Sequence, residues 1–385
     1  HNKIKKELIY ENAYLNIFDV PILYFPKFFH PDPSVIRQTG FLVPEINNSN
    51  VLGSSITVPY YKNISENKDY TFTPTVFDKK IFMIENEFRQ TKKNYEILAD
   101  IGFVKNYDSP TTKKKKNLSH LFVKLNHDLN YENYDTSDLI LSIESVSNDT
   151  YLKVFDQQIT KSKARPDDLN KLNSHVKFIL NNDRFNFDSG IDIYEDLQVD
   201  KSDRYQFILP YYNFNTEILE NRYEGTFNLN SSGSNTLQDT NSLKSEIIND
   251  LNFNSSNYYS DLGFSTNYNI NLKNLNTVGK KTNNYKSSPQ SKLVSLFNID
   301  TSFPMIKNTE NYKNYLTPKI SLKVNPSDMK DYSNSTNKIN VGNIFANNRL
   351  GLSDTFESGR SLTLGLNYKK EKIEDLENIN RYFEM

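Results

Sequence analysis

The chain has 385 residues, a net charge of −1, a hydrophobic fraction of 36% and a mean hydropathy of −0.68. It contains no run of 18 apolar residues, which excludes a helical membrane protein, and its balanced charge gives no argument for a nucleic-acid partner. The absence of cysteine excludes disulfides, thiolate metal sites and cysteine nucleophiles. A membrane β-barrel is still allowed, because only alternate residues of its strands need be apolar.

Apolar and polar residues alternate with a period of two along most of the chain, which predicts strands with one apolar and one polar face. In chain order, the clearest segments are Tyr70–Val76, Phe82–Phe88, Tyr223–Leu229, Phe264–Leu272 and Leu362–Tyr368. We expect the complete strands to run about 9–12 residues, the length of a tilted membrane strand. We expect roughly 14–17 strands in all.

Polar segments rich in turn residues separate the predicted strands. We expect connectors at Asp108–Lys116, at Asn230–Asn235 with Gly233, at Gly279–Gln290 and at Asn325–Asn337. The Lys113–Lys116 run lacks interleaved aromatic residues, so we interpret it as a solvated loop. Because the chain begins with His1 and Ile373–Met385 has no strand pattern, we expect a mature or excised piece whose last residues are not a strand.

The alternation fits two fold classes. A soluble β-sandwich or solenoid also has one polar face per strand. A transmembrane barrel is favoured by the Asn, Ser, Thr, Asp and Lys residues that recur on the polar faces, and by aromatic residues at strand ends, where barrels carry aromatic girdles. The aromatic residues in question are Tyr70, Tyr205, Tyr223, Tyr258, Tyr259 and Tyr368.

The sequence shows no catalytic, nucleotide or metal motif, so we expect no enzyme activity, cofactor or metal. The five histidines do not have the spacing of a metal site: His1, His30, His120, His127 and His175. Glu85 and Glu87 share one face of a predicted strand. We expect them to form a hydrated polar wall, together with residues such as Asn267 and Asn269, instead of an acid–base pair.

Prolines are concentrated near the start of the chain. Pro21 and Pro26 interrupt an aromatic, strand-like run, and the sequence His30-Pro31-Asp32-Pro33 favours extended backbone. Proline cannot donate a hydrogen bond to a ladder, so this run must be an edge strand, a bulge or a linker. We expect a stiff connector over Val20–Pro33.

Three successive predicted strands then carry one proline each, namely Pro44, Pro59 and Pro74. A proline inside a paired sheet deletes one backbone hydrogen bond, worth roughly 0.5–1.5 kcal/mol net. Two interpretations are open: the prolines lie at strand ends near water, or the strands are built to pair weakly. Three prolines in succession favour the second.

The same region resembles the family of LPS-assembly proteins LptD, also known as the organic-solvent-tolerance family. The matching residues lie within Asn16–Gln90 and are Val20–Pro26, His30–Ser34, Arg37–Pro44, Pro59–Tyr61, Asp69–Pro74 and Glu87–Arg89. A weaker match covers Asn343–Asp354, Glu357–Gly359 and Leu364–Tyr368.

The resemblance implies an all-β fold: a large antiparallel transmembrane β-barrel, incomplete in this chain, preceded by the last strands of a periplasmic β-jellyroll. Residues 1–38 are then the end of the jellyroll and its linker, and residues 39–385 are the N-terminal and central barrel strands. The implied location is the outer membrane of a Gram-negative cell, with the N-terminal part in the periplasm. Better-studied members join the two domains by disulfides, which this chain cannot form.

The resemblance also implies a function, the insertion of lipopolysaccharide into the outer leaflet through a lateral gate. The implied partners are lipopolysaccharide, the lipid bilayer, a plug lipoprotein of the LptE type and a periplasmic bridge protein of the LptA type, with no nucleic acid. Three sets of residues are candidates: a gate at Pro44 and Pro59; a domain junction at Pro26, His30, Pro31, Asp32, Pro33 and Arg37; and a lipid path at Ile22, Tyr24 and Phe25. The alternative is a general outer-membrane porin or solute channel.

Overall fold

Strands that pair antiparallel dominate the computed structural model, which describes residues 7–17, 20–31, 37–108, 115–159, 162–199, 203–220, 224–239, 241–283, 285–328, 338–352, 355–375 and 378–384. The strands up to the middle of the chain are β1 (Glu7–Ile17), β2 (Val20–Pro31), β3 (Gly40–Phe41), β4 (Glu45–Ser49), β5 (Gly53–Thr57), β6 (Tyr60–Ser65), β7 (Lys68–Phe77), β8 (Phe82–Lys92), β9 (Tyr95–Asp108), β10 (Lys115–Asp128), β11 (Thr136–Val146), β12 (Lys171–Asn181) and β13 (Phe185–Asp196).

The later strands are β14 (Tyr205–Glu220), β15 (Gly225–Gln238), β16 (Ser242–Ser255), β17 (Tyr258–Tyr259), β18 (Ser265–Lys280), β19 (Gln290–Ser302), β20 (Met305–Asn308), β21 (Tyr312–Asn325), β22 (Gly359–Asp375) and β23 (Asn378–Glu384). Two one-turn helices, α1 (Tyr151–Val154) and α2 (Asp156–Ile159), lie between β11 and β12. In the described part of the chain, neither helix has the length and apolar character needed to cross a membrane.

The chain divides into two units: unit 1 is His1–Glu132, Thr136–Phe178 and Ile191–Gln206, and unit 2 is Asn133–Asp135, Ile179–Gly190 and Phe207–Met385. In unit 1, β1 and β2 form a two-stranded hairpin, and β3 to β11 pair antiparallel in a sheet. In unit 2, β15 to β23 pair antiparallel in the same manner. Both arrangements follow from the hairpin connectivity that short loops impose.

The five clearest predicted strands are confirmed, within the described residues, as β7, β8, β15, β18 and β22. The expected count of roughly 14–17 is too low, since 23 strand segments are described. Short segments account for much of the difference, because irregular stretches divide β3 from β4, β5 from β6, β16 from β17 and β19 from β20. The connector expected at Gly279–Gln290 lies between β18 and β19, as predicted apart from its first and last residues.

Three sequence-based expectations are wrong. Asn230–Asn235 is no turn but lies inside β15, where Gly233 faces the ring of Tyr212: a Cβ atom there would lie 2.4 Å from a ring carbon. Lys115 and Lys116 belong to β10, so the connector after Asp108 is shorter than expected. Asn378–Glu384 forms β23, which pairs with β22. The register of this pair shifts twice, so the residues of β23 do not alternate regularly between two faces.

On the two faces of each sheet, the apolar side chains are exposed and the polar side chains are buried, which is the reverse of the pattern in water-soluble proteins. In unit 2, Leu364 is 70% exposed while Lys323, on the paired strand β21, is 4% exposed. In unit 1, Phe103 is 57% exposed while Asp100 is 2% exposed on the same strand. Soluble proteins bury leucine and expose lysine, so large apolar faces of this kind mark a membrane or a partner surface.

Candidate functional site

The prolines interrupt two neighbouring strands of unit 1 at the same level. Leu42, Val43 and Pro44 separate β3 from β4, and Val58 and Pro59 separate β5 from β6. Ladder pairs lie on both sides of the break, Phe41 with Tyr60 and Glu45 with Thr57, so three residues of one strand oppose two of the other. This is a bulge, and it falls where neither proline can donate.

The carbonyl groups of Pro59 and Pro74 accept backbone hydrogen bonds from neighbouring strands. The amide of Leu42 donates to the carbonyl oxygen of Pro59 at 2.9 Å, and the amide of Val58 donates to that of Pro74 at 3.2 Å. Pro74 itself lies inside β7, opposite Ile84. Pro44 and Pro59 thus lie where the ladder is interrupted, each directly before the next strand segment, while Pro74 lies within a paired strand. That these strands pair weakly stays a prediction.

A cavity of about 460 Å³ lies on the polar face of the same sheet. Its lining combines the interrupted strands, the polar residues of β7 to β9 and a segment after α1. The lining residues are Leu42, Val43, Glu45, Asn47, Thr57, Pro59, Tyr61, Thr71, Thr73, Thr75, Glu85, Glu87, Arg89, Asp100, Gln157, Gln158 and Ser162. Glu85 and Glu87 thus lie on the polar face, as the alternation predicts.

The connector between β11 and β12 folds onto this polar face. Its apolar side chains, Tyr151, Leu152, Phe155 and Ile159, are fully buried in the core of unit 1. Phe155 packs against Tyr107 with ring centroids 5.7 Å apart. We call residues 148–159 the infolded segment. Sequence reasoning missed it, although the spacing of Tyr151, Phe155 and Ile159 is that of one helix face.

A buried polar cluster joins the infolded segment to the sheet. The Nδ1 atom of His120 lies 2.8 Å from the hydroxyl of Tyr151, and its Nε2 atom lies 3.3 Å from the Asp100 carboxylate. Burial raises the pKa of Tyr151, so that its hydroxyl stays protonated. Gly102 makes room for the imidazole, because a Cβ atom there would lie 2.2 Å from the ring. His120 therefore has a structural role, as expected.

Arg37 is the residue of the predicted junction for which the structure shows side-chain contacts. It pairs with Asp69, which is 1% exposed and also accepts from Arg89 at 2.7 Å. Arg37 also donates to the carbonyl oxygen of Glu66 at 2.7 Å. These contacts fix the start of the sheet to the turn between β6 and β7.

The other junction residues divide into two groups. Pro26, His30 and Pro31 lie in β2, which pairs with β1 as far as Pro31, so the connector expected over Val20–Pro33 is a strand up to that residue. Asp32 and Pro33 lie outside the described residues. The prolines of β2 occur where the ladder is irregular: Pro21 is at a register shift, and Pro26 is opposite Asn12, which has a φ of 55°. The junction itself stays a prediction.

The residues of the predicted lipid path also lie in β2. Tyr24 is 48% exposed, donates to the side-chain oxygen of Asn12 at 2.7 Å and packs against Tyr14 with centroids 4.9 Å apart. The side chains of Ile22 and Phe25 lie outside the described residues. In the backbone of the hairpin, Phe25 is paired with β1, and Ile22 lies between two paired residues. The lipid path stays a prediction.

In unit 2, residues 338–352 and 355–358 fold onto the polar face of β19, β21 and β22. Arg349 makes two hydrogen bonds of 2.8 Å to the Glu357 carboxylate and one of 3.1 Å to Ser361. Lys323 donates to the carbonyl oxygen of Ala346, and Asn298 donates to Asn347 at 3.1 Å. The second region of resemblance is therefore an inward-packed loop and the strand that follows it.

The described residues include no group of three or more His, Asp or Glu side chains arranged to hold a metal ion. Buried polar side chains such as Lys323 and Asn325 instead hydrogen-bond to the loop that covers them. Asn267 and Asn269 share the polar face of β18 with buried Asn271 and Lys273, whose ammonium lies 2.7 Å from Asp250.

Two family models match most of the chain between them. One is described as LptD protein and covers residues 8–224, and the other, described as LPS transport system D, covers residues 118–375. The chain belongs to the LptD family.

Curated relatives agree with the LptD match. An LPS-assembly protein LptD of Idiomarina loihiensis is 32% identical over 146 residues, and that of Pseudoalteromonas translucida is 33% identical over 147 residues. These matches cover 37% and 38% of this chain but only 18% of each relative. A third, from Polaromonas, is 41% identical over 91 residues, which are 23% of this chain and 11% of the relative. The chain thus matches less than a fifth of the length of these relatives.

Proposed function

We propose that this chain is part of an outer-membrane β-barrel that inserts lipopolysaccharide into the outer leaflet. The observation that carries the proposal is the reversed polarity of the strands, with Leu364 exposed and Lys323 buried. A barrel wall in lipid needs an apolar outer face, tolerates a polar inner face and leaves no backbone group unpaired. That the transported molecule is lipopolysaccharide is inferred from membership of the LptD family.

The lateral gate of this proposal is the proline-interrupted part of β3 to β6. The bulge at Leu42–Pro44 and the missing donors of Pro44 and Pro59 reduce the number of ladder bonds there. Each missing bond lowers the cost of opening by roughly 0.5–1.5 kcal/mol. The exposed side chains of Leu42 and Val43 offer acyl chains an apolar surface beside the break.

In the proposed path, acyl chains leave a periplasmic jellyroll near Ile22, Tyr24 and Phe25 and enter the bilayer beside β3. The sugar portion passes along polar strand faces, such as that of Glu85 and Glu87 in unit 1 and that of Asn267 and Asn269 in unit 2. A plug lipoprotein of the LptE type and a periplasmic bridge protein of the LptA type are the proposed partners. No chemical step occurs at this site, so the driving energy has to come from outside it.

The test is reconstitution of the complete protein, with its plug lipoprotein, into liposomes. Lipopolysaccharide supplied by the bridge protein should become accessible to a modifying enzyme on the other side of the membrane. A general porin would instead pass small sugars freely and deliver no lipopolysaccharide. That second outcome would overturn the proposal.

A further inference from the structure

Lysines border the exposed apolar face of β20 to β22 in unit 2. The apolar part of this face is formed by three exposed leucines of β22: Leu362, Leu364 and Leu366. Further along β22, the same face carries Tyr368, then Lys370 and Lys372, because side chains two residues apart share one face of a strand. The wall therefore changes from leucine to tyrosine to lysine towards one end.

The neighbouring strand β20 places a third lysine at the same level. Asn314 of β21 lies opposite Lys370 on one side and opposite Lys307 of β20 on the other. Residues directly opposite each other in a ladder lie on the same face of the sheet, and Lys307 is exposed. Three lysines thus lie together at the border of the apolar wall. We call Lys307, Lys370 and Lys372 the lysine row.

Side-chain contacts agree with this placement. The Lys370 ammonium lies 4.1 Å from the centre of the Tyr312 ring, and the Tyr368 hydroxyl donates to the side-chain oxygen of Asn314 at 3.0 Å. Both contacts run diagonally between β21 and β22, which is possible only for side chains on one face. The tyrosines therefore lie on the same face as the lysines, and this combination is typical of the border between lipid and water.

The charge of the lysine row is positive. The two acidic side chains described in β20 to β22 and their turn are Glu371 and Glu310. Glu371 is 8% exposed, lies on the opposite face of β22 and pairs there with Lys369. Glu310 lies in the turn between β20 and β21. A negatively charged group beside the leucines would therefore meet lysine ammonium groups first.

The lysine row lies at the end of the strands that has the short connection. Residues 309–311 join β20 to β21, and the Thr309 amide donates to the carbonyl oxygen of Tyr312 at 2.8 Å across this turn. At the other end, residues 326–358 connect β21 to β22. Outer-membrane barrels have short turns on the periplasmic side and longer loops on the outside.

We propose that the lysine row and the adjoining leucines bind an anionic phospholipid of the phosphatidylglycerol type, from the periplasmic leaflet of the membrane. The phosphate lies at the lysines, which attract it as point charges, and the acyl chains lie along the leucines. The inference rests on the membrane setting of the proposed function and goes beyond it, because this lipid is bound by the outer wall and is not the transported molecule.

The test titrates the complete protein, in a nonionic detergent, with phosphatidylglycerol and with phosphatidylcholine that has the same acyl chains. Native mass spectrometry measures the bound lipid. The wild type should prefer phosphatidylglycerol, and Lys307→Gln/Lys370→Gln should lower its affinity for this lipid roughly fivefold for each lysine removed. Affinity for phosphatidylcholine should stay the same. Equal affinities of the wild type for the two lipids, or a preference that persists in the double variant, overturn the proposal.

The matched control is Lys292→Gln/Lys319→Gln, which removes the same charge from the opposite face of unit 2. Lys319 is next to exposed Ile320, and Lys292 is two residues from fully buried Val294. The control should bind phosphatidylglycerol like the wild type, and an equal loss in both double variants would mean that only the net charge matters. Lys307→Arg/Lys370→Arg keeps the charge and should keep the preference; its loss would contradict the proposal.

A competition experiment distinguishes a lipid site from a site for free phosphate. Glycerol 3-phosphate lacks acyl chains, so at the concentration of the lipid it should not displace phosphatidylglycerol. Displacement would overturn the proposal in favour of a site for soluble phosphates. The proposed function fails separately, if the wild type delivers no lipopolysaccharide in liposomes while its preference for phosphatidylglycerol persists.

Discussion

The amide of Leu42 donates a 2.9 Å hydrogen bond to the carbonyl oxygen of Pro59, across a break at which neither neighbouring proline can donate in return. The bond keeps the two strands in register, while the bulge beside it reduces the number of ladder hydrogen bonds. The strands are therefore held together by few bonds at this level, in the place where the account requires them to separate.

Replacing Pro44 and Pro59 by valine should restore two backbone donors in the complete protein. Each added bond strengthens the pairing by roughly 0.5–1.5 kcal/mol, so delivery of lipopolysaccharide to the surface should slow about three- to tenfold per bond. Pro318→Val is the matched control, because Pro318 lies in a paired strand of unit 2, outside the interrupted segment. Unchanged delivery by the double variant would contradict the proposed lateral gate.

Leu364→Arg should lower the free energy of unfolding in lipid vesicles by about 2–4 kcal/mol, if this side chain lies near the bilayer midplane. At a surface position in water, the same change is usually worth within about 0.5 kcal/mol. Val341→Arg, at a loop residue that is 95% exposed, is the control and should be neutral. Equal urea stabilities of the two variants would mean that the exposed leucines do not face lipid.

Asp69→Asn should loosen the start of the sheet, because it removes the charge that pairs with Arg37 and Arg89. The two arginine side chains are 40% and 41% exposed, and water screens them, so we expect a loss of about 1–3 kcal/mol, below the range for fully buried pairs. Amide hydrogen exchange at residues 37–39 should speed up. Asp261→Asn, in an exposed turn, should leave that exchange as it is; protection that persists in Asp69→Asn would contradict the anchoring role.

Phe155→Ala should detach the infolded segment, since the Phe155 side chain is fully buried against Tyr107 and Tyr151. Phenylalanine-to-alanine changes in cores cost about 3–5 kcal/mol. Limited proteolysis should then cut within residues 148–159 of the folded protein. Lys153→Ala, on the exposed side of the same helical turn, is the control, and equal resistance of both variants would show that the segment does not depend on this packing.

The strand faces could be predicted from the sequence, because alternation with a period of two directly records which side chains share a side of a sheet. This reasoning placed Glu85 and Asn267 on polar faces, where the structure has them. It also brought Pro44 and Pro59 together as neighbours on adjacent strands. The alternation alone does not show which of the two faces is exposed. The structure shows it, because Lys323 is buried while the neighbouring Leu322 is exposed.

The inward-packed segments could not be predicted with the same rule. The helices α1 and α2 have four residues each, too few for a helical period to stand out, and their burial depends on contacts with β9 and β10 that are distant in sequence. Gly233 led to a wrong prediction of a turn. Its lack of a side chain instead makes room for the ring of Tyr212. The partner of Asp69 was equally hidden, since Arg37 is 32 residues away in the chain.

The most direct measurement is the surface level of newly made lipopolysaccharide in cells depleted of the complete protein. We expect newly made molecules to stop reaching the surface upon depletion, and restoring the wild-type protein to return delivery, while uptake of small solutes stays as it was. Normal surface delivery in depleted cells, accompanied by a loss of solute uptake, would contradict the account and favour a solute channel.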